Sequence, residues 1–181
     1  LCFETREGIL KHCSKKLAPK LGKIAERFVK GHLPSLEAQL VNVADEIAYN
    51  HHDLDDGLRA GLISWEDIIL VPQISQQLHL IERSFPKLND SRKQAEVIRR
   101  MINSQVEDLI LSTRKRIKIA KIHSQAEVRA HSLPLVGFSR EMSKNVRKLK
   151  LFLHERLYKH PNVSEMNSVA TVVIKDLFYE M

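Results

Sequence analysis

Apolar side chains along this chain recur at intervals of three and four residues, and almost nowhere in strict alternation. That spacing is helical, because residues three and four apart share one face of an α-helix. Met142, Val146, Leu149, Leu153 and Leu157 draw one such stripe, with Ser139 placed to cap the helix and Pro161 to close it. Asn162-Val163-Ser164-Glu165 then resembles a capping box, with Asn in place of Ser or Thr, and predicts the start of a last helix. Met166, Ala170, Val173 and Leu177 form the stripe of that helix. A longer helix is predicted from about Ser91 to about Lys121, with Ile98, Ile102, Val106, Leu109 and Ile110 turned inward. Pro72 and Pro86 bracket another over Gln73 to Arg83. Asp56-Gly57 lies inside a helical pattern, and no hairpin turn is flanked by alternating β-branched residues. The predicted fold class is all-α.

A chain of 181 residues suffices for one compact domain or a large piece of a bigger one. Six Gly and six Pro exclude collagen-like and linker-like compositions. No apolar run approaches the roughly 20 residues that a membrane-spanning helix needs. The first residues, Leu1-Cys2-Phe3-Glu4-Thr5-Arg6, hold neither an initiating Met nor a stretch of signal-peptide length. The expectation is a cytoplasmic segment of a longer product. Cys2 and Cys13 are too few for a disulfide framework and stand outside any metal-ligand spacing, so both are read as free thiols in a reducing compartment.

The formal charge of +7, from 29 Lys and Arg against 22 Asp and Glu, favours an anionic partner without choosing among nucleotide, nucleic acid and acidic surface. Lys15, Lys16, Lys20, Lys23, Arg27 and Lys30 stand against Glu26 alone in a basic stretch, read as a solvated connection with a short helix, with a phosphate- or nucleic-acid-facing patch as the alternative. Arg114-Lys115-Arg116-Ile117-Lys118 has the composition of a nucleic-acid patch. No aromatic residue accompanies that run to stack on bases, so the wet face of a helix is the expected reading.

The informative segment runs from Leu36 to Gly57, with Ser35 as its cap and a helix expected to about Leu58. On a wheel of about 100° per residue with Asp45 at zero, Tyr49 falls near 40°, Asp53 near 80°, Asp56 near 20° and His52 near −20°. Val43, Ile47, Leu54 and Leu58 gather on the opposite side. Val41 and Ala48 border the Asp45 end of the polar arc, and the arc holds no Lys or Arg in a chain rich in both. Three carboxylates stacked within three turns repel one another unless a cation or a donor offsets them. A metal or catalytic role and a solvated helix face both fit that wheel.

The stretch Ala44-Asp45-Glu46-Ile47-Ala48-Tyr49-Asn50-His51-His52-Asp53-Leu54-Asp55-Asp56-Gly57-Leu58-Arg59-Ala60-Gly61 resembles the bacterial deoxyguanosinetriphosphate triphosphohydrolase-like proteins of the HD superfamily. Arg6-Glu7-Gly8-Ile9-Leu10-Lys11-His12, Pro134-Leu135-Val136-Gly137-Phe138-Ser139 and Leu149-Lys150-Leu151-Phe152-Leu153 are similar to further blocks of that family. The resemblance implies an HD-superfamily helical bundle, of which this chain is the C-terminal part of a larger domain. Residues 1–181 would form a single helical unit, with residues 1–60 the remainder of the HD core and 61–181 a C-terminal helical region.

It further implies a hydrolase that splits a dNTP into deoxynucleoside and tripolyphosphate with a divalent metal, Mg or Mn, polarising the α-phosphate. Asp45 matches the last of four metal ligands. Tyr49 would contact phosphate and sugar, and Asp53 would accept from the deoxyribose 3′-hydroxyl. His52 and Asp56, on the same arc, and Lys11, within reach of a phosphate, are secondary candidates. His12 and His51 are weaker ones. His52-Asp53 is an HD dipeptide, but its place eight residues after Asp45 matches the later helix and not the metal-binding doublet. The first His, the true His-Asp pair and the catalytic His and Glu region would lie upstream of Leu1. This chain would therefore hold no catalytic residue, an incomplete metal site and no activity alone. The resemblance also implies a homo-oligomer, and some members bind single-stranded DNA. The alternative reading is a non-catalytic basic helical module for nucleic-acid binding or assembly; another HD phosphohydrolase acting on signalling nucleotides fits the Tyr49 and Asp53 spacing less well.

Overall fold

The computed structural model describes residues 1–180, and among them every regular element is helical. In chain order these are α1 (Phe3–Leu10), α2 (Ala18–Leu21), α3 (Lys23–Val29), α4 (Leu36–Arg59), α5 (Trp65–Ile68), α6 (Pro72–Ser84), α7 (Asp90–Ile119), α8 (Gln125–Ala130), α9 (Arg140–Leu153) and α10 (Pro161–Glu180). A π-helical turn, His154–Tyr158, continues α9. The all-α expectation holds.

The helices form two compact units, each discontinuous in sequence: residues 1–47 with 105–140, and residues 48–104 with 141 onward. The expected single unit divided near residue 60 does not describe this packing. The reason is that α4 and α7 are long enough to give one half to each unit, so the packing boundaries fall within helices.

In the second unit, Leu54, Ile63, Ile68, Val71, Ile74, Ile81, Val97, Met101, Leu149, Leu153 and Leu157 make one continuous core. Met142 and Val146 are buried as well, so the whole predicted stripe of α9 is internal. Gly61, in the left-handed region at φ 65, ends α4, and the amides of Leu62 and Ile63 return to the Gly57 carbonyl. Ser64 then caps α5 in a capping box with Asp67, and Trp65 packs against the core beside it.

In the first unit, Ala18, Ala25, Ala38, Ile47, Leu109, Val128, Leu135, Val136 and Phe138 are buried. Ser35 caps α4 as expected, its Oγ accepting from the Ala38 amide at 3.3 Å.

Three expectations are corrected. The buried row of α7 is Val97, Met101, Gln105 and Leu109, whereas Val106 and Ile110 are exposed and Ile98 and Ile102 half-buried. Two apolar rows run side by side on α7, and the polar Gln105 made the inner one look broken. Pro161 opens α10 at its first position and does not merely close α9, because a missing N–H costs nothing in a first helical turn. The stripe Met166, Ala170, Val173 and Leu177 is exposed throughout, and no residue of α10 is buried.

Candidate functional site

α4 is unbroken through the candidate segment, so Asp45, Tyr49 and Asp53 follow one another at intervals of about one turn. Asp45 is exposed and lies in the half of α4 that belongs to the first unit. Tyr49 is exposed and Asp53 half-buried, both in the second unit. His52 and Asp56 are exposed, whereas His51 is buried on the inner side of the helix.

Asp53 has a partner that the sequence did not reveal. The Tyr158 hydroxyl donates to its Oδ2. Tyr158 is the last residue of the π turn, immediately after the buried Leu157. Single π turns insert one extra residue into the helical ladder and are frequent at functional sites. Partial burial, the hydrogen bond to Asp53 and the nearby charges of Asp53 and Tyr49 hold the Tyr158 phenol above its ordinary pKa. The phenol thus stays a proton donor to the carboxylate. No short-range pattern links position 53 to position 158, and the stripe of α9 directs attention to Leu157 instead.

Lys11 has a partner within the first unit. Its Nζ donates to the Ala38 carbonyl in the first turns of α4, and partial burial lowers its pKa from the ordinary lysine value. His12 is exposed. Among the described residues no group of three or more His, Cys, Asp or Glu side chains is arranged to hold a metal. Hard divalent cations take six or more ligands, mostly oxygen. Asp45 supplies one carboxylate, so the residues present do not fit a complete metal centre.

Two further polar clusters organise the first unit. Glu7, with its side chain fully inaccessible, accepts from Arg129 Nε at 2.9 Å and Nη2 at 3.0 Å and from Arg27 Nη1 at 2.9 Å. Burial alone would raise its pKa, but the two guanidiniums hold it below the usual carboxylate value. The Phe3 ring covers both arginines, 5.1 Å from Arg129 and 5.8 Å from Arg27.

The second cluster clasps the backbone of Pro134–Ser139. Gln39 Oε1 accepts from the amides of Leu135 at 3.0 Å and Val136 at 3.3 Å, while its Nε2 donates to the Pro34 carbonyl at 2.9 Å. Asp108 Oδ2 accepts from the Ser139 amide at 2.8 Å, and Arg116 donates to the Phe138 carbonyl. Arg116 is therefore an anchor and not part of a wet helix face, while Arg114, Lys115 and Lys118 of the same run are exposed.

Residues 136–181 match the phosphohydrolase-associated domain family. Across 98% of its length the chain is similar to curated proteins named "Deoxyguanosinetriphosphate triphosphohydrolase-like protein". It is 49% identical to the one from Ralstonia nicotianae, covering 46% of that relative, and 46% identical to the one from Bordetella pertussis, again covering 46%. Identity to the Thiobacillus denitrificans relative is 43%, over 47% of its length. The chain spans about half the length of these relatives. The similarity spans α4, the Pro134–Ser139 block and the Tyr158 turn, and places the chain in the family of the deoxyguanosinetriphosphate triphosphohydrolase-like proteins.

Proposed function

We propose that this chain supplies the deoxyribose-facing wall of a dNTP triphosphohydrolase, which releases deoxynucleoside and tripolyphosphate. The observation that carries this reading is the pairing of Tyr158 with Asp53 one helical turn from Tyr49, within a chain whose relatives bear the triphosphohydrolase-like name. With Oδ2 held by Tyr158, the remaining lone pairs of Asp53 accept a hydrogen bond from the 3′-hydroxyl of the sugar. The exposed Tyr49 ring offers an apolar face to the deoxyribose beside it. Tyr158 acts through Asp53, fixing the plane of its carboxylate, and is a positioning residue.

Asp45 is one ligand of the divalent metal in this reading, and the other donors lie outside these residues. The 181-residue chain alone therefore binds metal weakly and is inactive. The free thiols of Cys2 and Cys13 fit a cytoplasmic setting, and among the described residues no helix is long and apolar enough to cross a membrane.

The test is release of tripolyphosphate from dGTP with Mg or Mn. In a polypeptide of the relatives' full length carrying this segment, Asp45→Asn abolishes turnover, while the helical circular dichroism signal stays nearly unchanged. Asp53→Ala raises KM at least about tenfold, as expected for a lost hydrogen bond to a charged group. Survival of activity in Asp45→Asn overturns the metal assignment. Metal-dependent release by the 181-residue chain alone overturns its proposed inactivity.

A further inference from the structure

Glycine inside a helix weakens it relative to alanine, because its backbone gains more freedom on unfolding. Gly57 nevertheless stands buried in the last turns of α4. Unlike Gly61, it has no left-handed backbone to account for it. What the missing Cβ provides is room. A Cβ at this position would stand 2.6 Å from Ile63 Cδ1, 3.1 Å from Ile63 Cγ1 and 3.2 Å from Leu157 Cδ1, all nearer than carbon atoms ordinarily approach.

Leu157 belongs to the π turn, whose last three residues each have an anchor of their own within the second unit. Arg156 Nη1 meets Asp67 Oδ1 at 3.6 Å. Leu157 is buried in the core with Ile63, against Gly57. Tyr158 donates to Asp53. The Arg156 pair is solvent-accessible and holds weakly, so the Leu157 contact sets how closely the turn approaches α4. Asp53 and Gly57 lie one helical turn apart and about 40° apart on the wheel. Leu157 and Tyr158, consecutive in the π turn, therefore meet α4 at two consecutive levels of one face. The phenol oxygen stands at the far end of a rigid ring, so a small tilt at Leu157 is enlarged there. Packed interiors do not admit an added methyl without such shifts, and hydrogen bonds weaken steeply as alignment is lost.

We propose that Gly57 is a positioning residue: by carrying no Cβ it lets the π turn seat against α4 closely enough for the Tyr158 hydroxyl to reach Asp53. The bearing of this seat on substrate rests on the reading of Asp53 and Tyr49 as the sugar-facing wall.

Ultraviolet titration of the 181-residue chain tests the seat directly. Each curve is read as the difference from the same chain carrying Tyr158→Phe, which isolates this phenol from Tyr49 and Tyr179. In Gly57→Ala the phenol is expected to ionise about one pH unit lower than in the parent, toward an ordinary tyrosine. Adding Leu157→Val, which has no δ carbon, returns it toward the parent value. Should Gly57→Ala lose its helical circular dichroism signal, Gly57→Ala with Ile63→Val removes the closest contact and keeps the fold, and its phenol also ionises low. A folded Gly57→Ala chain, with or without Ile63→Val, whose Tyr158 ionises with the parent overturns the proposal. So does a shift that Leu157→Val fails to reverse. In a polypeptide of the relatives' full length, Gly57→Ala raises KM for dGTP by the same factor as Tyr158→Phe, roughly three- to tenfold, with kcat less affected. A lowered phenol with KM unchanged leaves the seat standing and overturns the sugar-facing reading instead.

Discussion

Tyr158 and Asp53, 105 positions apart in sequence, are joined by a hydrogen bond from phenol to carboxylate. The bond links the π turn after α9 to the polar side of α4. Two consequences are measurable. The raised pKa means that the protonated phenol stabilises the fold below the unfolded tyrosine value of about 10, and that this contribution is lost as pH rises through the higher folded value. Ultraviolet titration should therefore show one tyrosine ionising above the ordinary range, and Asp53→Asn should lower it. Tyr158→Phe should cost about 1 kcal/mol or less in urea unfolding, because the pair is solvent-accessible. A titration curve unmoved by Asp53→Asn contradicts the pairing.

Glu7→Gln removes the counter-charge that Arg27 and Arg129 share within hydrogen-bond distance. A loss of about 3 kcal/mol is expected, at the low end for breaking a buried ion pair because both arginines are partly exposed. The lowered Glu7 carboxyl contributes stability above the unfolded glutamate value of about 4.3, and that contribution drains as pH falls through the lower folded value. Urea midpoints of the variant should accordingly fall less steeply with acid than those of the parent. Glu96, brought to about 2 by Arg99 and Arg100, keeps part of that acid dependence in both proteins.

Gly57→Ala tests the contact that α4 makes with its own return. A Cβ there would stand 2.6 Å from Ile63 Cδ1 and 3.2 Å from Leu157 Cδ1, both in the core. Overpacking costs about 1–3 kcal/mol, and the better helix propensity of Ala returns at most about 1 kcal/mol. The variant should be destabilised by about 1 kcal/mol, and adding Ile63→Val, which lacks Cδ1, should recover part of the loss. A stabilised Gly57→Ala shows that the space is not filled.

Gln39→Leu leaves the Leu135 and Val136 amides without their shared acceptor. A cost of about 2 kcal/mol follows from burying unsatisfied donors. Hydrogen exchange at those two amides should accelerate beyond the global change; equal acceleration everywhere would remove Gln39 from its role as a clasp.

Sequence alone determined the helical class, the extent of α4 and the inner stripe of α9, because these follow from period, caps and apolar spacing within one segment. It also marked Asp45, Tyr49 and Asp53 as neighbours along one helix, since a wheel needs only local geometry. Tertiary structure decided which of two adjacent rows of α7 is buried, that the stripe of α10 stays exposed, and that Glu7, Gln39 and Tyr158 find partners far along the chain. Those outcomes depend on which elements meet in space. A charge or hydroxyl carries no mark in the sequence of whether its partner lies four residues away, 105 or 122.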